Sequence, residues 1–184
     1  MQNLPLNGSV IVVASDRGHH FSKSVQSAIV MVEGLGVEGD AHAGAFVQHR
    51  YLAKKRPRLP NLRQVHLIPG ELFEHLHAVG YDVRPGDLGE NVTTRGLELD
   101  RLPLGTLLKL GEYAVVELTG LRTPCVLIDR FQRGLKSHVI QRAGCAPKFK
   151  CGVLGVVRAG GSVTAGDVAV AVVPCLPWHP LPML

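Results

Sequence analysis

The side chains best suited to chemistry in this sequence gather in TGLRTPC, from Thr119 to Cys125. Cys125 lies three residues from the permanent charge of Arg122 and close to two hydroxyls, Thr119 and Thr123. A nearby guanidinium favours thiolate over thiol, and the thiolate is the form that attacks an electrophile or ligates a soft metal. The competing reading is a buried, inert cysteine. Val126, Leu127 and Ile128 follow it as an apolar run, and free cysteine is among the most buried residue types. Local sequence leaves both readings open.

Other residues offer weaker constellations. Asp40 and His42 are two apart, so an extended backbone would point both to one side. With His49 or His66 they would make a divalent-ion site; the simpler account is a turn in which Asp40 caps amides and His42 is half-solvated. Asn91 and Thr93, in GENVT, either hold a tight turn or face a ligand from a strand end. His19 and His20, flanked by Arg17 and Lys23, are candidates for anion contact or ordinary exposed loop histidines. Cys145 and Cys151 are spaced for a small disulfide loop, and no second cysteine pair accompanies them to build a metal site. No Walker loop, HExxH, GxSxG or dinucleotide fingerprint is present.

These groups need elements to position them. The alternating run from Tyr113 to Leu118 predicts a half-buried strand that delivers TGLRTPC to a sheet end. A turn is expected there, with Gly120 free to take a positive φ and Pro124 biasing Thr123 away from helix. Further strands are predicted at Val10 to Ala14, Ser27 to Val32 and Val65 to Ile68. Val153 to Val157, Ser162 to Thr164 and Val168 to Val173 read as a hairpin pair closing the sheet. Helices are expected over Ala45 to Leu52, from Pro69 to Gly80, and over the polar segment Asp129 to Ser137. In the second, Leu72, Phe73, Leu76 and Val79 recur at helical spacing as the buried stripe. Many short strands between Gly- and Pro-rich turns point to a sandwich or barrel. The chain reads as one domain over residues 1–173. Residues 174–184, rich in proline, form an appendage packed by Trp178 if at all.

Composition bounds the partners. A chain of 184 residues with 46% hydrophobic and 19% charged content holds one substantial core and is not disordered. Its longest apolar stretch, Val168 to Val173, is too short to cross a bilayer. The amino-terminal residues lack a signal-peptide pattern, so a cytoplasmic protein with reduced thiols is expected. The formal charge of +5 concentrates in one basic run from Arg50 to Arg63 and a looser one from Arg130 to Lys150. Such runs attract a phosphate-bearing cofactor, an acidic partner or nucleic acid. An aromatic content of 5% supplies a poor stacking surface and argues against single-stranded nucleic acid.

The motifs GDAHAG (Gly39 to Gly44), LRQVHLI (Leu62 to Ile68), PGDLGENVTTRGLEL (Pro85 to Leu99), LPLGTLLKLG (Leu102 to Gly111), TGLRTPC and GVLGVVRAGGSVTAGD (Gly152 to Asp167), in this order, closely resemble the MOSC domain family, specifically its small stand-alone bacterial members. The resemblance implies a mostly β, barrel-like fold with a few helices, built around one characteristic cysteine, here Cys125. In the family that thiol is taken to accept sulfur as a persulfide or to ligate the molybdenum of a molybdopterin-type cofactor. By the same resemblance Arg122, Asn91 and Thr93 map near the cofactor, and Arg63, His66 and His42 are lining residues. Two activities follow as expectations. One is the catalytic component of a reductase for small N-hydroxylated compounds, drawing on a separate electron-donor protein because the chain carries no iron–sulfur cysteine spacing. The other is a non-enzymatic carrier of the molybdenum cofactor or of a Cys125 persulfide, supplied by a separate sulfur donor. Family alone does not supply a reaction, so whether the chain is an enzyme stays open here.

Overall fold

Short strands each bury one face, and this chain removes most of their edges by closing them into a ring. The computed structural model describes residues 6–48, 50–142 and 147–184, with the backbone alone for 50–52. In chain order the strands are β1 (Asn7–Ser15), β2 (Ser24–Gln26), β3 (Ala28–Val32), β4 (Gly36–Val37), β5 (Val65–Pro69), β6 (Val92–Arg95), β7 (Leu107–Leu110), β8 (Ala114–Leu121), β9 (Ile140–Gln141), β10 (Lys148–Phe149), β11 (Val153–Ala159), β12 (Gly161–Thr164) and β13 (Val168–Val172). The helices are α1 (Arg50–Lys55), α2 (Gly70–Ala78), α3 (Val126–Phe131) and α4 (Leu135–His138). Seven strands close a barrel in the order β1, β13, β7, β8, β11, β5, β6 and back to β1. Within it β5 and β6 run parallel and the other pairs antiparallel. β2 hangs on the end of β1, β12 joins β3 and β4 in a small second sheet, and β9 pairs with β10.

Side-chain alternation sorts the core into two bodies. Val65, Leu67, Val92, Leu108, Leu110, Val116, Leu118 and Val153 fill the barrel and are fully buried. Ile68 instead joins Leu72, Phe73, Leu76, Ile128, Leu135 and Val139 in an outer cluster under the helices. Burying one such side chain stabilises the fold by roughly 1.5–3 kcal/mol. Among the described residues no helix is long and apolar enough to cross a membrane.

Several expectations are corrected. β8 does not turn at Gly120 but runs on to Leu121, with Gly120 opposite Leu154. The glycine serves close approach rather than a positive φ: a Cβ there would lie 2.6 Å from Leu184 Cγ and 2.7 Å from the Pro182 carbonyl. The carboxy-terminal strands do not pair as a hairpin set, because β11 already has β8 and β5 on its two edges. β12 therefore pairs with β3, while β13 closes the barrel between β7 and β1. The helix expected over Ala45 to Leu52 instead begins at Arg50 and takes Lys54 and Lys55 into its last turn, where cations suit the helix dipole. Phe46 is drawn off into a bridge with Pro60.

In α2, Val79 is the exposed C-cap, and Gly70 takes its place on the buried face. The Asp129 to Ser137 segment splits into parts of α3 and α4, with Gly134 left-handed between them. Of the apolar run after Cys125, Ile128 is buried, whereas Val126 and Leu127 are exposed. In the tail, Leu181 rather than Trp178 enters the core.

Candidate functional site

Val13 near the end of β1, Val92 at the start of β6, Leu67 of β5, Val153 at the start of β11 and Leu121 at the end of β8 lie side by side in register. That convergence builds a cavity of about 310 Å³ whose lining includes Lys23, His42, Arg63, His66, Asn91, Arg122 and Cys125, with Leu127 and Leu154 as apolar wall. Segments far apart in sequence thus contribute one charged group each.

Asp40 anchors one side. Its carboxylate, fully buried, accepts from Lys23 Nζ at 2.7 Å, Asn91 Nδ2 at 3.0 Å and the His42 amide at 2.9 Å, and His42 Nδ1 lies 3.3 Å away. Burial by itself would raise this carboxyl, but the hydrogen bonds from His42 and the charge of Lys23 outweigh it and hold the group well below the usual carboxylate range. Asn91 spends the rest of its amide on the protein, donating to the Ala14 carbonyl at 3.2 Å and accepting from the His66 amide at 3.2 Å. Asn61 ties the GDAHAG loop to the next strand. It donates to the carbonyls of His42 and Gly44 and accepts from the Arg63 amide.

The opposite side is cationic and incompletely paired. Arg63 is lowered from its ordinary value by burial and by repulsion from Arg122. Among the described residues, nothing hydrogen-bonds the buried Nη1 of Arg122. A buried guanidinium nitrogen left unpaired is costly unless a ligand completes it. The Arg122 backbone, by contrast, is pinned. Its N–H donates to the Gly152 carbonyl at 3.0 Å, and its carbonyl accepts from Cys151 Sγ at 2.8 Å. The Cys151 carbonyl accepts from His66 Nε2 at 2.8 Å, which places the proton on that nitrogen. Burial, with the Arg122 charge adding to it, pushes His66 well below its ordinary value, so the ring is neutral. Burial also pushes the Cys151 thiol up to about 11. Cys125, half-buried at the N-cap of α3, is the thiol that lines the cavity.

Six of the seven residues singled out in the sequence therefore meet: Cys125, Arg122, Asn91, Arg63, His66 and His42. Thr93 does not line the cavity, and its hydroxyl donates to Glu90 Oε1 at 3.3 Å. Glu90 is itself buried and raised by that burial, with Oε2 unpaired among the described residues. The Thr119 hydroxyl faces two carbonyls, of Leu62 and Leu154, so it holds strands together rather than serving the thiol. Among the described residues no three His, Cys, Asp or Glu side chains group as a metal site. His49 and Cys145 lie outside the described residues, and Cys151 is a free thiol. Sequence reasoning missed Asn61 and saw Lys23 only as a flank of a candidate anion-contacting loop and Cys151 only as a candidate disulfide partner of Cys145, since each acts through a partner distant along the chain. A larger cavity, about 930 Å³, opens beside α2 and α4 over Leu72, Leu97 and Leu99. The sequence-predicted residues do not line it, and its Lys150 is paired with Asp100.

Comparison with known proteins places this arrangement. A family model described as the MOSC domain matches residues 18–170. No curated protein matches the sequence. Among solved structures, the YUAD protein from Bacillus subtilis is similar with a TM-score of 0.75 at 20% identity, over 92% of this chain and 98% of that one. YiiM from Escherichia coli is similar with a TM-score of 0.62 at 20% identity, over 95% of this chain and 74% of its own. YiiM from Geobacillus stearothermophilus is similar with a TM-score of 0.56 at 18% identity, over 92% and 74%. At these identities the likeness carries the fold.

Proposed function

The chain belongs to the MOSC domain family, whose domains are associated with binding the molybdenum cofactor, and from that membership we propose that its cavity binds a molybdopterin-type cofactor as the catalytic component of a reductase for N-hydroxylated compounds. The observation that carries this reading is the buried Nη1 of Arg122, without a partner among the described residues, in a cavity shared with Arg63, Lys23 and the Cys125 thiol. The buried carboxylate beside this cavity, Asp40, is already committed to Lys23 and Asn91. The pocket therefore favours an anionic ligand and offers it a soft sulfur.

In this role Arg122 and Arg63 would hold the cofactor's phosphate and Cys125 would ligate molybdenum. His66, fixed as the neutral Nε2–H form, and Asn91, which holds both the Asp40 carboxylate and the His66 backbone, would shape the wall against the pterin. Thr93 acts one step further out by holding Glu90. When bound, the cofactor supplies two-electron chemistry at the N–O bond, with electrons from a separate donor protein. Cleaving that bond to amine and water consumes two protons. His42, half-exposed and hydrogen-bonded to Asp40, would deliver one from its imidazole, and solvent would supply the other.

The test is metal and pterin content of native protein and the Cys125→Ser variant, both made in cells that synthesise the cofactor, followed by assay with an N-hydroxylated base and a reduced donor. Near-stoichiometric molybdenum and pterin, metal lost from the variant, and turnover by the native protein are expected. Loaded protein that never turns over would leave the carrier of cofactor or persulfide as the reading. Well-folded native protein without either component would defeat the cofactor assignment.

A further inference from the structure

The residues after Pro180 pack back onto the barrel. Leu181 is buried in the barrel core, and from there the backbone runs alongside the end of β8. Leu121 N–H donates to the Pro182 carbonyl at 2.7 Å, and Leu184 N–H donates to the Leu121 carbonyl at 3.0 Å. Thr123 then gives both of its donors to one acceptor: its N–H, at 3.2 Å, and its hydroxyl both reach the Leu184 carbonyl. Gly120 makes room for this strap, since a Cβ there would collide with Leu184 and Pro182. Leu121 and Thr123 flank Arg122, and Thr123 lines the cavity with Arg122 and Cys125. The strap holds the residues on each side of Arg122, while β11 holds Arg122 itself through Gly152 and Cys151.

We propose that residues 182–184 are a positioning strap for the anion-binding side of the cavity. Zipped onto Leu121 and Thr123, they keep the 122–125 turn in the form that aims Arg122 inward, and their release lowers affinity for an anion while the barrel stays folded. The strap touches no ligand, so its action is through Arg122. The proposal rests on the anion-binding reading of the cavity.

Two variants of the full chain remove the strap by different routes. One deletes residues 182–184 and leaves Leu181 in place. The other, Gly120→Ala, evicts the strap sterically at a strand position with no positive φ. Inorganic phosphate is the probe, titrated by calorimetry, and amide exchange of the Arg122 N–H is followed by NMR. That amide bonds to Gly152, so merely losing strap hydrogen bonds would not expose it. Both variants should keep a native far-ultraviolet spectrum, bind phosphate at least tenfold more weakly and exchange the Arg122 amide at least tenfold faster. Combining them should add little, because the second change finds nothing left to remove. Unchanged Arg122 exchange, or faster exchange with undiminished affinity, would overturn the strap's role. Failure of the native protein to bind phosphate would count against the anion reading instead, and the exchange rates would still decide whether the strap holds the turn.

Discussion

The Asp40 side and the Arg122 side of the cavity are built from similar residue types and differ in how they are paired. Around Asp40, the ammonium of Lys23, the amide of Asn91 and backbone donors complete one another. Around Arg122 the backbone is tied down twice, yet a side-chain nitrogen is buried with no partner among the described residues. Folding satisfies buried polar groups wherever it can, because each unsatisfied one costs about 1–3 kcal/mol. In the anion-binding reading the completed network is scaffold, and the deficient one on the cavity wall is the place kept for a ligand. The two cysteines repeat the contrast. Cys151 is buried, hydrogen-bonded and held protonated, whereas Cys125 is half-buried on the cavity wall.

That contrast can be broken by mutation. The largest expected effect is Asp40→Asn, which leaves the buried Lys23 ammonium without its carboxylate. A loss of about 3–5 kcal/mol in unfolding free energy by urea titration is expected from breaking a buried pair. A loss below 1 kcal/mol, on the scale of a surface substitution, would show that the network is not scaffold. Arg122→Ala should do the reverse. Phosphate affinity should fall at least tenfold, about 1.4 kcal/mol, with unfolding free energy changed by less than about 1 kcal/mol, since no side-chain pair is broken at Nη1. Unfolding of that variant would make Arg122 structural.

The pH dependence sharpens the same comparison. The His66 imidazole is lowered in the folded state from its ordinary 6.5. The unfolded chain thus takes up a proton below about pH 6.5 that the folded chain refuses, and stability is lost as pH falls through that window. Asp40, also lowered, contributes stability above its ordinary 3.8 and loses it only at more acid pH. Glu90 is raised from its ordinary 4.5. Its contribution is full below that value and is lost as pH rises through its folded value. The melting temperature of native protein should therefore fall between pH 7 and pH 5, and His66→Gln should flatten or reverse that slope. An unaltered slope in the variant would remove His66 from the account.

The smallest effect belongs to Cys125→Ser. Stability should stay within about 1 kcal/mol of native, because a half-buried thiol without a network is lost. In native protein at pH 8, a thiol reagent should modify Cys125 and Cys175 and spare Cys151. Modification of Cys151 at a comparable rate would erase the distinction between the two sites.

Parts of this were legible in the amino-acid order. Leu72, Phe73 and Leu76 were recognisable as a helix face, because a period of 3.6 is a property of neighbours in sequence. Short strands between Gly and Pro turns pointed to a sandwich or barrel, the MOSC resemblance chose the barrel-like class, and the company of Arg122 and Pro124 made Cys125 a candidate. Gly120 was misread because its local neighbours suggest a turn, while the reason for a glycine there is Leu184, far along the chain. The terminal strands were misread likewise. Pairing of β12 with β3 depends on which edges β11 has already given away.

Residue type and local spacing, then, determined most of the strands and helices and nominated Cys125 and Arg122 as candidate site residues. Tertiary structure decided the rest: that Asn91 faces Asp40 and His66, that Thr93 serves Glu90, and that Cys151 clamps Arg122 while a distant tail braces its neighbours. Hydrophobic period repeats within a few residues and can be read along the chain. The partner of a buried polar group is chosen in three dimensions, by whichever donor or acceptor the closed barrel brings within about 3 Å.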